Sequence, residues 1–258
     1  MSESILETIR LHKDFGGLTA ICNLTCQIQR GQVKAIIGPN GAGKTTLFNL
    51  ITGMYPPTKG EIKFKGQYIT RLRPYTIAYL GISRTFQMVQ IFKNMTVLEN
   101  VMVGRHPRTK AGVLRSGLRL PGFKREERLI REEAEKMLAF VGLMEKKDEP
   151  AGNLPLGDQK RIEFARALAT EPEVILLDEP AAGLNEVETG NLSNLINQVR
   201  DFGITVILVE HDMSLVMKVS DTVLVLNYGE KIAEGTPDVV RNDPEVIEAY
   251  LGKEFQYA

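Results

Sequence analysis

Tryptophan is absent from the 258 residues, cysteine occurs twice and histidine three times. Cys22 and Cys26 stand four apart, too far for a redox pair and with too few further ligands for a metal site. In the run Cys22-Asn-Leu24-Thr-Cys26-Gln-Ile28 the alternation sets both cysteines on the strand face of Leu24 and Ile28, as reduced core thiols. Charge of one sign is also lacking. Lys and Arg number 32 and Asp and Glu 32, for a formal net charge of zero. Nucleic-acid binders normally carry a basic excess, so that class is disfavoured. No apolar run approaches the roughly 18 residues that a spanning helix needs. The opening MSESILETIRLHK lacks the apolar core of a secretion signal, which leads us to expect a cytosolic chain. What is present is a hydrophobic fraction of 43%, with ample core for one large domain or two small ones.

Strand-like runs at Ile5 to Leu11, Cys22 to Ile28, Val33 to Ile37 and Ile62 to Phe64 alternate with turns and one helix. That helix begins at Lys44, with Leu47, Leu50 and Ile51 at helical spacing and Gly53 at its end. Thr96 and Glu99 read as a capping box opening a short helix to Val103. A Gly-, Pro- and Arg-rich stretch follows, then a charged amphipathic helix from about Lys124 to Val141. Between Arg105 and Arg131 nine Lys/Arg face two Glu, which suits either a solvated linker or contact with anionic lipid headgroups. Val174 to Leu177 and Ile204 to Val209 are near-continuous apolar runs, the pattern of parallel strands covered on both faces. Leu192, Leu195, Ile196 and Val199 form one helical stripe between them. The expected fold is therefore α/β, with a mostly parallel sheet, an N-terminal antiparallel β subdomain and an inserted α-helical subdomain. Within a single domain over 1–258, residues 1–88 and 159–258 would form the core and 89–158 the helical part.

The segment Gly38-Pro39-Asn40-Gly41-Ala42-Gly43-Lys44-Thr45 satisfies G-x-x-x-x-G-K-[ST], and Thr46 follows it. Glycines allow the backbone N–H groups to converge on phosphate oxygens, and the helix that begins there adds its positive end. Lys44 would bring a point charge to the β- and γ-phosphates, and Thr45 a hydroxyl to Mg²⁺. Asp178 ends a buried strand, where a carboxylate can hold the metal's shell. Glu179, one residue on, is the candidate base that would draw a proton from water. With no Asn-Lys-x-Asp element for guanine, ATP is the expected nucleotide.

Together these residues resemble the ATP-binding subunits of ABC transporters over essentially the whole chain, a resemblance that implies a P-loop NTPase core for the α/β fold. The resemblance implies further roles. Phe15 would stack on adenine. Gln87, in Arg84-Thr-Phe-Gln87, would meet Mg²⁺ and a membrane subunit, and His211 would contact the γ-phosphate. Asn185, in Ala182-Gly-Leu-Asn185, stands where many members have Asp. The signature segment departs from Leu-Ser-Gly-Gly-Gln. It reads Leu154-Pro155-Leu156-Gly157-Asp158, and Pro155 offers neither hydroxyl nor N–H, leaving Gly157 and the helix start to face a partner's ATP.

Phe15-Gly-Gly, Glu210-His211-Asp212-Met213, the Gly117-Leu-x-x-Pro121-x-Phe123 pattern and the ending Asp243 to Gly252 are similar to the branched-chain amino acid importer branch. That likeness implies an ATPase dimer, of like or unlike chains, at the cytoplasmic side of the inner membrane. It also implies integral membrane subunits and, through them, a periplasmic binding protein. A lipid or lipopolysaccharide exporter ATPase is the alternative within transport. A soluble ATPase acting on nucleic acid or ribosomes is the alternative outside it, and a subunit that binds ATP without hydrolysing it is the third.

Overall fold

The computed structural model describes residues 3–106 and 123–251. Most of the basic stretch and the pattern around Gly117 and Pro121 lie outside the described residues. Strands β1 (Ser4–Phe15), β2 (Leu18–Gln29), β4 (Lys59–Phe64) and β5 (Gln67–Tyr68) form an antiparallel sheet in the order β2-β1-β4-β5. The larger sheet runs β10 (Glu230–Gly235), β9 (Thr222–Asn227), β3 (Val33–Ile37), β8 (Thr205–Val209), β7 (Val174–Asp178), β6 (Ile82–Arg84). It is parallel except for β10.

All five residues of β3, β7 and β8 are buried, as expected of strands covered on both faces. Along β7, Val174 and Leu176 join one core, shared with the antiparallel sheet and helix α1 (Lys44–Ile51). Ile175 and Leu177 join the other. That second core is closed by α3 (Val97–Arg105), α4 (Phe123–Phe140), α5 (Leu156–Leu168) and α6 (Glu186–Asp201). Helix α2 (Pro74–Leu80) precedes β6, and α7 (Met213–Val219), α8 (Pro237–Arg241) and α9 (Pro244–Leu251) complete the order. The Thr96–Glu99 capping box is present. The apolar stripe of α6 is buried, and Gly53 at φ +72 ends α1. Among the described residues no helix is long and apolar enough to cross a membrane.

One expectation fails. Cys26 is buried but Cys22 is only half-buried, and Ile21 takes the inward place instead. Asn23 adopts φ +50, and the pairing shifts between Leu11↔Leu24 and Lys13↔Ile21, so β2 carries an extra residue there. A bulge reverses the inside–outside phase, which simple alternation cannot foresee. The first strand likewise reaches Phe15, beyond the expected end at Leu11, through a kink at Arg10 with φ +46.

Candidate functional site

The phosphate loop spans the turn from β3 into α1. Gly38, at φ +150, has no room for a side chain, because a Cβ would run into the Leu226 carbonyl of β9. Gly43, at φ +103, is the N-cap of α1 and faces the Ala20 carbonyl of β2. The loop is thus wedged between two sheets, with Gly229 N–H donating to the Ala42 carbonyl at 3.0 Å. Within it Ala42 N–H donates to Pro39 at 3.1 Å. No side chain caps α1 and no acidic residue sits in its first turn, so the positive end of the helix faces the loop unneutralised. Asn40, Gly41 and Thr45 are exposed there, and Thr46 is half-buried.

Lys44 is 6% exposed, and its Nζ donates to the Gly38 and Pro39 carbonyls at 2.7 and 2.9 Å. Burial holds this ammonium below its usual pKa, against the opposing pull of Glu179 and Asp178. Asp178 ends β7. Its Oδ2 accepts from Arg84 Nη2 at 2.7 Å, and its buried Oδ1 has no hydrogen-bond partner. A buried carboxylate oxygen left without a donor is costly unless another group satisfies it. A hard cation would do so, and Thr45, Asp178 and Gln87 carry oxygen donors of the kind that fit Mg²⁺.

Glu179 is the meeting point. Its Oε2 accepts from Gln87 Nε2 at 2.8 Å, and its Oε1 lies 3.1 Å from His211 Nε2. The backbone there has φ +46, unusual for a residue with a Cβ, and Glu179 N–H donates to the Val209 carbonyl of β8 at 2.8 Å. Parallel pairing of β7 with β8 brings Glu179 beside the segment that carries His211. Four expected residues, Lys44, Asp178, Glu179 and His211, therefore converge, with Gln87 joining them from the segment after β6.

The remaining three lie elsewhere. Phe15, half-exposed at the tip of β1, packs edge-on against Tyr55 with ring centres 5.4 Å apart, and Lys13 Nζ lies 4.8 Å from its ring centre. Gly157, in the first turn of α5, has its Cα face against the Glu188 carboxylate, where a Cβ would not fit. Asn185 is the N-cap of α6, its side chain accepting from Glu188 N–H while Glu188 accepts from Asn185 N–H, both at 3.0 Å. Asp158 turns inward to ion pairs with Lys146 and Arg161. Pro155 leaves the start of α5 without a side-chain cap.

Arg84, Lys160 and Glu210 did not stand out as site residues from sequence. Arg84 joins Asp178 to Asn49, whose Oδ1 accepts from Nη1 at 2.6 Å. Position in the run Arg84-Thr-Phe-Gln87 was the one available signal for it. Glu210 is 3% exposed, and its neighbour His211 was the signal there.

The ABC transporter family pattern matches residues 21–182, and that of the branched-chain amino acid ATP-binding cassette transporter family matches 230–256. The high-affinity branched-chain amino acid transport ATP-binding protein LivG of Escherichia coli (strain K12) is 44% identical, covering 98% of this chain and 100% of LivG. BraF of Pseudomonas aeruginosa, named likewise, is 46% identical with the same coverage. Among solved structures, the ADP conformation of MJ1267, an ATP-binding cassette of an ABC transporter, superposes with a TM-score of 0.85. It is 36% identical and covers 98% of this chain and 100% of that one. A nucleotide-free ATP-binding cassette from an ABC transporter gives 0.83 at 36% identity, over 97% of this chain and 100% of that one.

Proposed function

The chain belongs to the ABC transporter family as an ATP-binding ATPase, and from that premise we propose that it powers import of branched-chain amino acids. The observation that carries this reading is the likeness of 44–46% to LivG and BraF along 254 residues, extending through the C-terminal 230–256 pattern. The proposed setting is the cytoplasmic face of the membrane, as one of two ATP-binding subunits. Integral membrane subunits would carry the cargo, delivered by a periplasmic binding protein. Within the chain, residues 1–88 and 159–258 would hold nucleotide, and 89–158 would present the signature segment to the partner subunit.

In this reading Lys44 and the amides of Gly41 to Thr46 bind the phosphates, and Phe15 stacks on the base. Mg²⁺ held by Thr45, Asp178 and Gln87 would neutralise phosphate charge. Glu179 accepts the proton of the attacking water at a carboxylate oxygen. Both of its oxygens are engaged, one by Gln87 and one by His211, so one of these bonds is exchanged for water before attack. His211 remains the donor beside the reacting phosphate. Gly157 and the uncapped start of α5, with Asn185, would serve the ATP held by the other subunit. Pro155 removes a hydroxyl and an amide from that contribution.

The test is reconstitution of the chain with its membrane subunits in vesicles. Binding protein loaded with leucine, isoleucine or valine should stimulate ATP hydrolysis and drive uptake of the labelled amino acid. Hydrolysis indifferent to all three loaded forms would overturn the assignment of cargo.

A further inference from the structure

The turn from Glu179 to Ala181 is gripped from two sides by side chains that lie outside the phosphate-binding motifs. Glu210 is a buried carboxylate that accepts from Ala181 N–H at 2.6 Å through Oε1. Its Oε2 accepts from His211 N–H at 3.0 Å and from Asp212 N–H at 3.4 Å. One carboxylate therefore fastens the turn after Glu179 to the turn that carries His211, so the two ends of the 3.1 Å Glu179–His211 contact share an anchor. On the other side Lys160, from α5, donates through Nζ to the carbonyls of Glu179 at 3.3 Å and Pro180 at 2.9 Å. Burial lowers the Lys160 pKa, opposed chiefly by Glu210 and then by Glu163 and Glu179, so the ammonium belongs to the same enclosed cluster.

Such a grip has a physical reason to exist. Glu179 sits at φ +46, a conformation that persists only where surrounding bonds over-determine it. A buried carboxylate is likewise tolerated only when donors satisfy it, and here three backbone amides from two separate segments do so. Neither group is placed to touch phosphate, since Glu210 points at backbone N–H groups and Lys160 at backbone carbonyls.

We infer that Glu210 and Lys160 are positioning residues for Glu179, and that Lys160 ties the helix bearing the signature segment to the base of its own chain. Lys160 lies one helical turn beyond Gly157, while Leu156 packs over Gly183 in the loop that follows the turn. A shift of α5 when its start engages the partner subunit's nucleotide is therefore passed through Lys160 to the carbonyls of Glu179 and Pro180. Each chain's site thereby feels whether that chain's own signature segment is docked. The inference rests on the reading of Glu179 as the base, and the experiment separates the two.

In the full-length chain, steady-state hydrolysis and equilibrium binding of Mg-ATP are measured for Glu210→Gln, Lys160→Met, Lys160→Arg and Glu179→Gln. The double variants that combine Glu179→Gln with Glu210→Gln or Lys160→Met complete the set. A Gln at 210 turns an NH₂ toward N–H donors at one end of its amide, so the grip loosens with shape conserved. We expect kcat to fall about 10- to 100-fold in Glu210→Gln and Lys160→Met, as for a misplaced catalytic group, with ATP affinity within about twofold of wild type. Lys160→Arg should recover most of the loss. In the Glu179→Gln background neither substitution should lower the residual rate further, because residues acting through one group are not additive. Wild-type kcat in both single variants, beside a slow Glu179→Gln, would overturn the positioning role and leave the base intact. Equal losses with and without Glu179 would also overturn it. Full turnover in Glu179→Gln would remove the base assignment itself. Should Glu210→Gln fail to fold, the comparison of Lys160→Met with Lys160→Arg decides the question.

Discussion

Arg84 Nη2 donates to Asp178 Oδ2 at 2.7 Å, both side chains almost wholly buried at 8% and 3% exposure. The guanidinium also lies 5.5 and 5.1 Å from the ring centres of Phe48 and Phe86. This pair joins the segment leading to Gln87 to the carboxylate that ends β7, and it leaves two of its buried atoms without a hydrogen-bond partner, Asp178 Oδ1 and Arg84 Nε. The direction in which Asp178 offers a lone pair is thus set by Arg84.

Removal of one member of a buried pair leaves the other charge uncompensated. Arg84→Met should therefore lower unfolding free energy by about 3–5 kcal/mol in urea titrations. Arg84→Lys should recover part of this at most, because an ammonium cannot span Asp178 and Asn49 as the planar fork does. Unchanged stability in Arg84→Met would contradict the weight placed on the pair.

Lys44 supplies a pH prediction. Its free-state pKa lies below the usual 10.5, mainly through burial. In the proposed reading the charged form binds phosphate, so ATP affinity should be full at neutral pH and decline as pH rises through that lowered value. For folding the sign is opposite: the buried charge is a liability, and stability rises with pH through the lowered pKa toward 10.5. Binding measured from about pH 7 to 10 checks the first statement. In Lys44→Arg, which stays charged throughout, whatever affinity remains should show no alkaline decline.

Gly157 is small because Glu188 occupies the space beside it. Gly157→Ala should push that carboxylate aside and break its bond to Asn185 N–H at 3.0 Å. Losing that half of the capping box should cost about 1 kcal/mol, read as a drop in thermal midpoint. In a Glu188→Ala background, where the bond is already gone and the space is open, Gly157→Ala should cost no more than an exposed helix substitution.

Glu179→Gln keeps the bonding shape but cannot take a proton. Turnover should fall by about 10²-fold or more while ATP binding holds. His211→Ala should also slow turnover while thermal stability stays near wild type, because the imidazole is 41% exposed and its loss opens no cavity. A His211→Ala variant with wild-type kcat would deny it any part beside the reacting phosphate.

Much of the site was legible in the chain because its signals are local. The glycine spacing before Lys44, the carboxylates closing an apolar run at Asp178 and Glu179, and the Thr96–Glu99 capping box depend on residues within one turn of each other. Strands buried on both faces declare themselves by composition, so β3, β7 and β8 were readable as well. Strand β6 was not: three residues carry no periodicity, and it exists because β7 offers it a parallel partner. The phase of Cys22 was not readable either, since a bulge at Asn23 is a property of the paired strands.

By itself, then, the sequence determined which groups are candidates for chemistry: a phosphate-loop motif, a carboxylate proposed for the metal, a second proposed as the base, and a histidine. Tertiary structure alone decided which of them meet. The order β3-β8-β7-β6 brings Lys44, His211, Asp178, Glu179 and Gln87 to one edge, and it assigns Arg84 to Asp178 and Glu210 to the amides of 181, 211 and 212. A buried polar atom must find its partner across the fold, and that choice follows from how strands pair and layers pack.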